Sequence, residues 1–148
     1  MREIPKEPDG YDSVARYPVE VDELRNCILL VDDSPEIRHS LRRMFEHAGW
    51  EVCGEAANGL KAIEEAARLQ PHLIVLDVAM PEMNGLTAAR ILKRAMPKVH
   101  LILFTMHGNL ITADEAASAG VDAVFSKTEP VSALLKKAQS LLSPEAAA

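Results

Sequence analysis

Residues 27–35 read Cys-Ile-Leu-Leu-Val-Asp-Asp-Ser-Pro, an apolar run joined to two aspartates and a helix-start signal. A short run without polar interruption is typical of a strand buried on both faces of a parallel sheet. Ser34 suits the N-cap of a helix, and Pro35 has the backbone angle favoured at the first helical position. The stretch therefore predicts a buried strand, a polar strand end and a helix that begins directly after it.

Similar apolar runs recur along the chain and alternate with amphipathic stretches. The strands are predicted at 27–31, 51–55, 73–76, 99–104 and 123–125. Apolar residues at helical spacing place helices at 35–48 before Gly49, 62–69 before Pro71, 86–92 before Pro97, 111–119 before Gly120, and 131–142. Five β-α units with right-handed crossovers predict an α/β, doubly wound, three-layer (βα)5 fold.

Composition and charge narrow the classes of function. The chain has 148 residues, of which 48% are hydrophobic and 26% charged, as in a folded globular domain. Its formal net charge of −6 argues against direct nucleic-acid binding through phosphate neutralisation. No apolar run approaches the roughly 18 residues of a membrane span, and the N-terminus lacks the apolar core of a signal peptide. We therefore expect a cytoplasmic protein without membrane contact.

The two ends of the chain differ from its body. Residues 1–25 carry 4 basic and 7 acidic side chains, have no clear hydrophobic period and are expected to form an N-terminal extension. The domain is predicted over 26–142, and residues 143–148 are expected to form a C-terminal tail. Cys27 and Cys53 have no metal-binding spacing, so we expect two reduced, buried thiols.

Polar side chains stand at the carboxyl ends of four predicted strands, which is where sites form in such sheets. Asp32 and Asp33 follow the first strand, Asp77 the third, Thr105 the fourth and Lys127 the fifth. A lone aspartate before a helix is usually only a cap. Asp77, however, is followed by Val-Ala-Met-Pro rather than by a helix start. The five side chains are therefore expected to converge on one edge of the sheet.

Such a cluster has an electrostatic cost that limits what it can be. Two carboxylates about 4 Å apart repel by roughly 4 kcal/mol at an effective dielectric of about 20. The cluster must hold a proton, pair with Lys127 or bind a cation. Three oxygen ligands suit Mg²⁺, with Mn²⁺ as an alternative ion. Asp77 could then attack phosphorus and form an acyl phosphate, while Mg²⁺ and Lys127 neutralise the phosphoryl oxygens.

The motifs together resemble the receiver domain of two-component response regulators. They are Asp32-Asp33, Asp77-Val-Ala-Met-Pro81 with Asn84-Gly85, Phe104-Thr105 and Ser126-Lys127. Each motif is weak alone, but five in order, four of them at strand ends, are highly specific. The resemblance covers about residues 26–142 and implies a flavodoxin-like parallel sheet of order 2-1-3-4-5.

The resemblance implies roles for the acidic residues. Asp77 would be the phosphoacceptor, taking a phosphoryl group from a sensor histidine kinase or a phosphotransfer protein. Asp33, Asp77 and the backbone carbonyl of Ala79 would bind Mg²⁺, and Asp32 would act directly or through water. The domain would not be an enzyme beyond its own phosphorylation and slow dephosphorylation.

The resemblance also implies switch residues, and here the chain departs from the family pattern. Thr105 and Lys127 would bind the phosphoryl group and relay its presence. Val124 occupies a position that is usually Tyr or Phe, so the aromatic switch of many receivers is not expected in its usual form. Ala79 and His107 occupy positions that influence how water reaches the acyl phosphate.

Two surfaces are candidates for partner contacts. Arg38, Arg42 and Arg43 lie away from the apolar stripe of the first helix, either as a solvated face or as the docking surface of the phosphoryl donor. The resemblance places output on the face that includes Ile111 and Val124, for an output protein or a homodimer. Phosphorylation would act there by shifting a population between two states.

Three functions remain to be compared. The first is a single-domain receiver that signals by protein contact. The second is the receiver of a longer, DNA-binding transcription regulator. The third is a haloacid-dehalogenase-like phosphatase, which needs a second aspartate two residues after its nucleophile. Position 79 is Ala, so the sequence disfavours the third.

Overall fold

The computed structural model describes residues 27–106 and 108–142, apart from the side chain of Asn109. Strands and helices alternate along these residues. The strands are β1 (Cys27–Val31), β2 (Glu51–Ala56), β3 (Leu73–Leu76), β4 (His100–Thr105) and β5 (Ala123–Ser126). The helices are α1 (Pro35–His47), α2 (Gly59–Leu69), α3 (Gly85–Ala95), α4 (Ala113–Ser118) and α5 (Val131–Leu142). The predicted extension 1–25 and tail 143–148 lie outside the described residues.

The strands form one parallel sheet in the order β2-β1-β3-β4-β5. Every residue of β1 and β3 is buried, as expected for central strands covered on both faces. Strand β2 lies on one side of β1, and the chain then crosses over so that β3 joins the sheet on the other side of β1. The carboxyl ends of β1 and β3 therefore lie side by side. This topology confirms the flavodoxin-like order.

Two layers of helices cover the sheet. On one face, α2, α3 and α4 contribute mostly small side chains, including Ala62 and Ala88, to a core with Leu29, Ile74 and Leu103. On the other face, α1 and α5 pack larger side chains against the sheet: Leu41, Phe45 and Leu134 contact the cluster of Ile28, Leu30, Val75 and Ile102. The predicted three-layer architecture is confirmed.

Helix α1 begins where the sequence predicts and ends at His47, one residue before the predicted end. The Ser34 hydroxyl accepts a hydrogen bond from the backbone N–H of Ile37 at 3.3 Å, and Pro35 is the first helical residue. Gly49 follows the C-cap with φ of 93°, a conformation that glycine adopts at little cost. The N-cap at Ser34 therefore starts α1 immediately after Asp32 and Asp33, the aspartates that follow β1.

Other boundaries differ from the prediction. Helix α4 begins at Ala113 rather than at residue 111, because Thr112 and Glu115 form a reciprocal capping box with distances of 2.9 and 3.0 Å. A 3-10 turn occupies Gly108–Leu110 before it. Strands β4 and β5 each extend one residue further than predicted, to Thr105 and Ser126.

The expectation of two reduced thiols is wrong, because Cys27 and Cys53 form a disulfide. The two strands are neighbours, and their register shifts between Ile28 and Leu29, which leaves Cys53 as an extra residue on β2. The Cα atoms are 5.5 Å apart, within the range that a disulfide spans. Cysteine spacing along the chain could not show this, because 26 residues separate the pair.

No helix within residues 27–106 and 108–142 combines the length and the apolar character that crossing a bilayer requires. The cores described above instead use helices of 6 to 13 residues, each with one face turned to the sheet.

The disulfide makes a prediction about stability. Reduction should lower the free energy of unfolding by about 3 kcal/mol, since the bond closes a loop of this length in the unfolded chain. Urea unfolding with and without reductant measures the difference, and alkylation should find no reactive thiol before reduction and two after it. The Cys53→Ala variant is the control and should not respond to reductant. Two reactive thiols in the unreduced protein would contradict the bond.

Candidate functional site

The backbone brings Asp32 and Asp77 together at the carboxyl edge of the sheet. The N–H of Asp32 donates to the carbonyl of Ala56 at 3.0 Å, and the N–H of Asp77 donates to the carbonyl of Val31 at 3.0 Å. Both bonds continue the sheet pattern one residue beyond β1 and β3. The two side chains therefore leave adjacent strand ends, and both are buried, with exposures of 2% and 5%.

The loop after Asp77 is held close to that residue by the start of α3. The Asn84 side chain caps α3 by accepting the N–H of Thr87 at 2.9 Å, and the N–H of Gly85 donates to the carbonyl of Val78 at 2.9 Å. A Cβ atom at Gly85 would overlap the backbone carbonyl of Asp77. Only glycine fits at position 85, because the start of α3 lies directly against the backbone of Asp77. This close contact explains the glycine of the Asn84-Gly85 motif.

Three carboxylates meet at this edge. One oxygen from each of Asp32, Asp33 and Asp77 lies within 4.8 Å of the others. Asp32 accepts the N–H of Ser34 at 2.9 Å, and Asp77 lies 3.4 Å from the N–H of Ala79. Asp33 is exposed, so the cluster is open to solvent on one side.

Lys127 is the cation of the cluster. Its Nζ atom lies 2.7 Å from Asp32 and 3.2 Å from Asp77, and the side chain is only 10% exposed. Its backbone N–H donates to the carbonyl of Thr105 at 2.9 Å, which places the residue directly after β5. Three carboxylates against one ammonium leave two negative charges, which one divalent cation would balance.

The pKa directions agree with this charge imbalance. Burial raises the pKa of Asp32 above its usual value, and the hydrogen bond from Lys127 offsets only part of that effect. Burial acts to lower the pKa of Lys127, but its contacts with Asp32 and Asp77 outweigh burial and raise it. The two carboxylates therefore favour the charged form of Lys127, whereas the positive charge beside Asp32 does not fully offset the burial of its carboxylate. Hard oxygen donors with an open side fit Mg²⁺.

The remaining predicted site residues occupy the neighbouring strands. Thr105 is fully buried as the last residue of β4, opposite Ser126 of β5. Val124 packs against the core beneath α2, α3 and α4, whereas Phe125 packs against the opposite core. An aromatic side chain is thus absent from the face on which Val124 lies within β5. His107 lies outside the described residues.

An ion network beside the cluster was not predicted. Glu55 on β2 binds two arginines of α1: its Oε1 accepts from Arg38 Nε at 2.8 Å and its Oε2 from Arg42 Nε at 2.7 Å. Burial favours the neutral form of Glu55, but the bonds from Arg42 and Arg38 outweigh it and lower its pKa below the usual value. The expected basic face of α1 is therefore partly neutralised, and Arg43 is its exposed member.

A cavity of ≈ 600 Å³ lies at the opposite edge of the sheet, lined in part by His72, Lys98 and His100. These residues begin or precede β3 and β4, so the cavity is at the amino ends of the strands. In parallel sheets of this kind, ligand sites form outside the carboxyl ends. The carboxylate cluster, not this cavity, is therefore the candidate site.

A family model of the response regulator receiver domain matches residues 28–139. The chain belongs to the response regulator receiver family. This receiver contains the whole carboxylate cluster and Lys127 within the matched residues. The DNA-binding alternative is not favoured over the receiver itself.

The relatives of the receiver include chemotaxis proteins and longer enzymes. It is 37% identical over 93 residues to the chemotaxis protein CheY of Thermotoga maritima, covering 63% of this chain and 78% of CheY. It is 38% identical over 104 residues to a protein-glutamate methylesterase/protein-glutamine glutaminase of Hahella chejuensis, covering 69% of this chain. The chain spans only 30% of that methylesterase's length.

A solved structure supports the comparison at the level of the fold and its ligands. The response regulator TrrA of Thermotoga maritima, in complex with Mg²⁺ and a beryllium fluoride, shares 27% identity with this chain. The match covers 78% of this chain and 98% of TrrA with a TM-score of 0.72. TrrA thus binds Mg²⁺ in a fold of this kind.

The Glu55 network predicts a pH-dependent contribution to stability. Because its folded pKa is depressed, Glu55 stabilises the fold above its usual pKa of 4.5, and this contribution is lost as pH falls through the folded value. Glu55→Gln should cost about 1 kcal/mol at neutral pH, and the difference from wild type should shrink in acid. Urea unfolding across pH measures both. Glu46→Gln, which removes only an exposed partner of Arg42, is the control; a Glu55→Gln deficit independent of pH would contradict the assignment.

Proposed function

We propose that Asp77 is the phosphoacceptor of this receiver and that the domain switches its partner contacts when Asp77 is phosphorylated. The observation that carries the proposal is the contact between a buried Asp77 and Lys127 inside a cluster of three carboxylates. A purely structural role does not account for such a cluster, because bringing three carboxylates together at the strand ends costs electrostatic energy. Its parts match what phosphoryl transfer to a carboxylate requires.

The chemistry assigned to the residues is simple. A carboxylate oxygen of Asp77 attacks the phosphorus of a phosphohistidine on the donor and forms an O–P bond. The P–N bond breaks, its electron pair stays on the imidazole nitrogen, and the ring takes up one proton from solvent so that the donor histidine leaves as neutral imidazole. The Lys127 ammonium lies 3.2 Å from the Asp77 carboxylate. After transfer it would pair with the phosphoryl oxygens instead of the carboxylate.

The proposed cation ligands are Asp33, Asp77 and the backbone carbonyl of Ala79, with Asp32 acting directly or through water. When bound, Mg²⁺ would offset negative charge on the phosphoryl oxygens. The donor set is entirely oxygen, and the exposed side at Asp33 leaves room for water and a phosphoryl group. The comparisons support Mg²⁺, and nothing in them points to Mn²⁺.

The proposed switch residues are Thr105 and Lys127, which would bind the phosphoryl group after transfer. Thr105 ends β4, and its carbonyl accepts the N–H of Lys127 directly after β5, so movement there would reach the end of the neighbouring strand. Val124 lies on β5 in the place of an aromatic switch, which favours a mechanism without ring rotation. Ala79 and His107 remain predictions for how fast water removes the phosphoryl group.

The proposed partners follow from the same chemistry. A sensor histidine kinase or a phosphotransfer protein would donate the phosphoryl group, and an output protein or a second copy would read the change. We propose that the domain extends over 26–142 and has no chemistry beyond gaining and losing this group. The second aspartate of a dehalogenase-like phosphatase is absent, because position 79 is Ala.

The proposed location is the cytoplasm, where such donors act. Cellular reductants there open most disulfides. The bond between Cys27 and Cys53 that the structure contains would be exposed to those reductants. The phosphorylation experiment should therefore be run on both forms.

Phosphorylation of Asp77 should depend on Mg²⁺. Incubation of the full chain with acetyl phosphate and Mg²⁺ should add one phosphoryl group by intact mass, and chelation of the cation should prevent the addition. Asp77→Asn should remain unlabelled because an amide cannot form the acyl phosphate. Asp114→Asn, which removes an exposed aspartate of α4, is the matched control and should label as wild type does. Equal labelling of Asp77→Asn would refute the assignment.

A further inference from the structure

The Arg38 side chain joins β2 to the backbone of the carboxylate cluster. Its Nε atom donates to Glu55 at 2.8 Å, and a terminal guanidinium nitrogen donates to the backbone carbonyl of Asp32. The side chain is only 17% exposed. Arg38 is itself fixed near the start of α1, where its N–H donates to the carbonyl of Ser34 at 3.1 Å. A rigid link therefore runs from the second strand to the residue that begins the site.

The Asp32 carbonyl matters because it belongs to the peptide unit that leads into Asp33. The N–H of Asp32 is held by Ala56, and its carboxylate accepts the N–H of Ser34. Asp33, by contrast, is exposed, and its carboxylate makes no hydrogen bond or ion pair with any residue that the structure describes. The direction of the Asp33 side chain is therefore set by its backbone, and the Arg38 contact holds that backbone.

We propose that Arg38 is a positioning residue for the divalent cation site, because it fixes the Asp32–Asp33 peptide from which the Asp33 carboxylate reaches the cation. This inference rests on the proposed function, since it takes Asp33 as a cation ligand. The planar guanidinium suits the task, because it donates in two fixed directions at once. Glu55 completes the arrangement by accepting from the Nε atom of Arg38 at 2.8 Å, which holds the other side of the guanidinium.

Arg42 provides a comparison within the same network. It binds the other oxygen of Glu55 at 2.7 Å, and its further contacts are to Glu46 and the carbonyl of Val52. It lies one turn further along α1 and contacts none of the three carboxylates. Removing Arg42 therefore takes away an ion pair with Glu55 and leaves the Asp32 carbonyl held.

The size of the effect follows from how metal sites respond to loss of the groups that orient their ligands. Such losses usually weaken metal affinity about 10- to 100-fold. Asp33 is exposed and one of several ligands, so we expect the lower end, about tenfold, for Arg38→Met. Because Arg38 contacts neither Asp77 nor Lys127, added Mg²⁺ should overcome the loss.

The test is Mg²⁺ binding to the full chain by isothermal titration calorimetry, with wild type, Arg38→Met and Arg42→Met compared at equal salt. Labelling by acetyl phosphate over a Mg²⁺ series gives a second measurement, in which the half-saturating concentration is separated from the maximal rate. Thermal unfolding of each variant reports general damage. Arg38→Gln is a second variant, too short to hold both partners, for use if the Met variant does not fold.

The inference predicts about a tenfold rise in the Mg²⁺ dissociation constant and half-saturating concentration for Arg38→Met, with Arg42→Met within twofold of wild type. It is overturned if both variants bind Mg²⁺ equally, or if Arg38→Met matches wild type. If wild type itself binds no Mg²⁺, the proposed function fails first. The two failures are thus distinguishable.

Discussion

The ammonium of Lys127 lies between the buried carboxylates of Asp32 and Asp77, and this contact joins the ends of β1, β3 and β5 at the carboxyl edge of the sheet. The rest of the site is arranged around it. Asp33 adds a further negative charge from the exposed side, and the Asn84-Gly85 turn closes the loop after Asp77. A group bound at Asp77 would therefore lie within contact distance of the Lys127 ammonium.

The site holds more negative than positive charge, with three carboxylates against the one ammonium of Lys127. A buried ion pair is weak support for stability, because desolvation offsets much of its attraction. Burial raises the pKa of Asp32 even beside Lys127, so the surroundings of this carboxylate disfavour its charged form. Two fully buried central strands, β1 and β3, supply the packing that makes such a cost tolerable. Local conflict within a well-packed fold is typical of functional sites.

The sequence allowed the fold and the convergence of polar residues to be predicted, because four of the five apolar runs are followed by a charged or hydroxyl side chain of the site. Asp77 was the clearest case, since it follows a buried strand and precedes no helix. The disulfide could not be predicted, because it depends on a register shift that brings Cys53 beside Cys27. The contacts of Arg38 were equally hidden: as a helix residue outside the apolar stripe it was expected on a solvated face or a docking surface, whereas it binds Glu55 and the backbone carbonyl of Asp32.

The central claim is that the cluster lacks positive charge until a divalent cation binds. The most direct test is the free energy of unfolding as a function of Mg²⁺ concentration for wild type and Asp33→Asn. Wild type should gain stability with Mg²⁺, by about 2.7 kcal/mol at a hundredfold excess over the dissociation constant. Asp33→Asn should be more stable than wild type without Mg²⁺ and should gain little from it. A wild type that does not respond to Mg²⁺, or an equal gain in both proteins, would contradict the account.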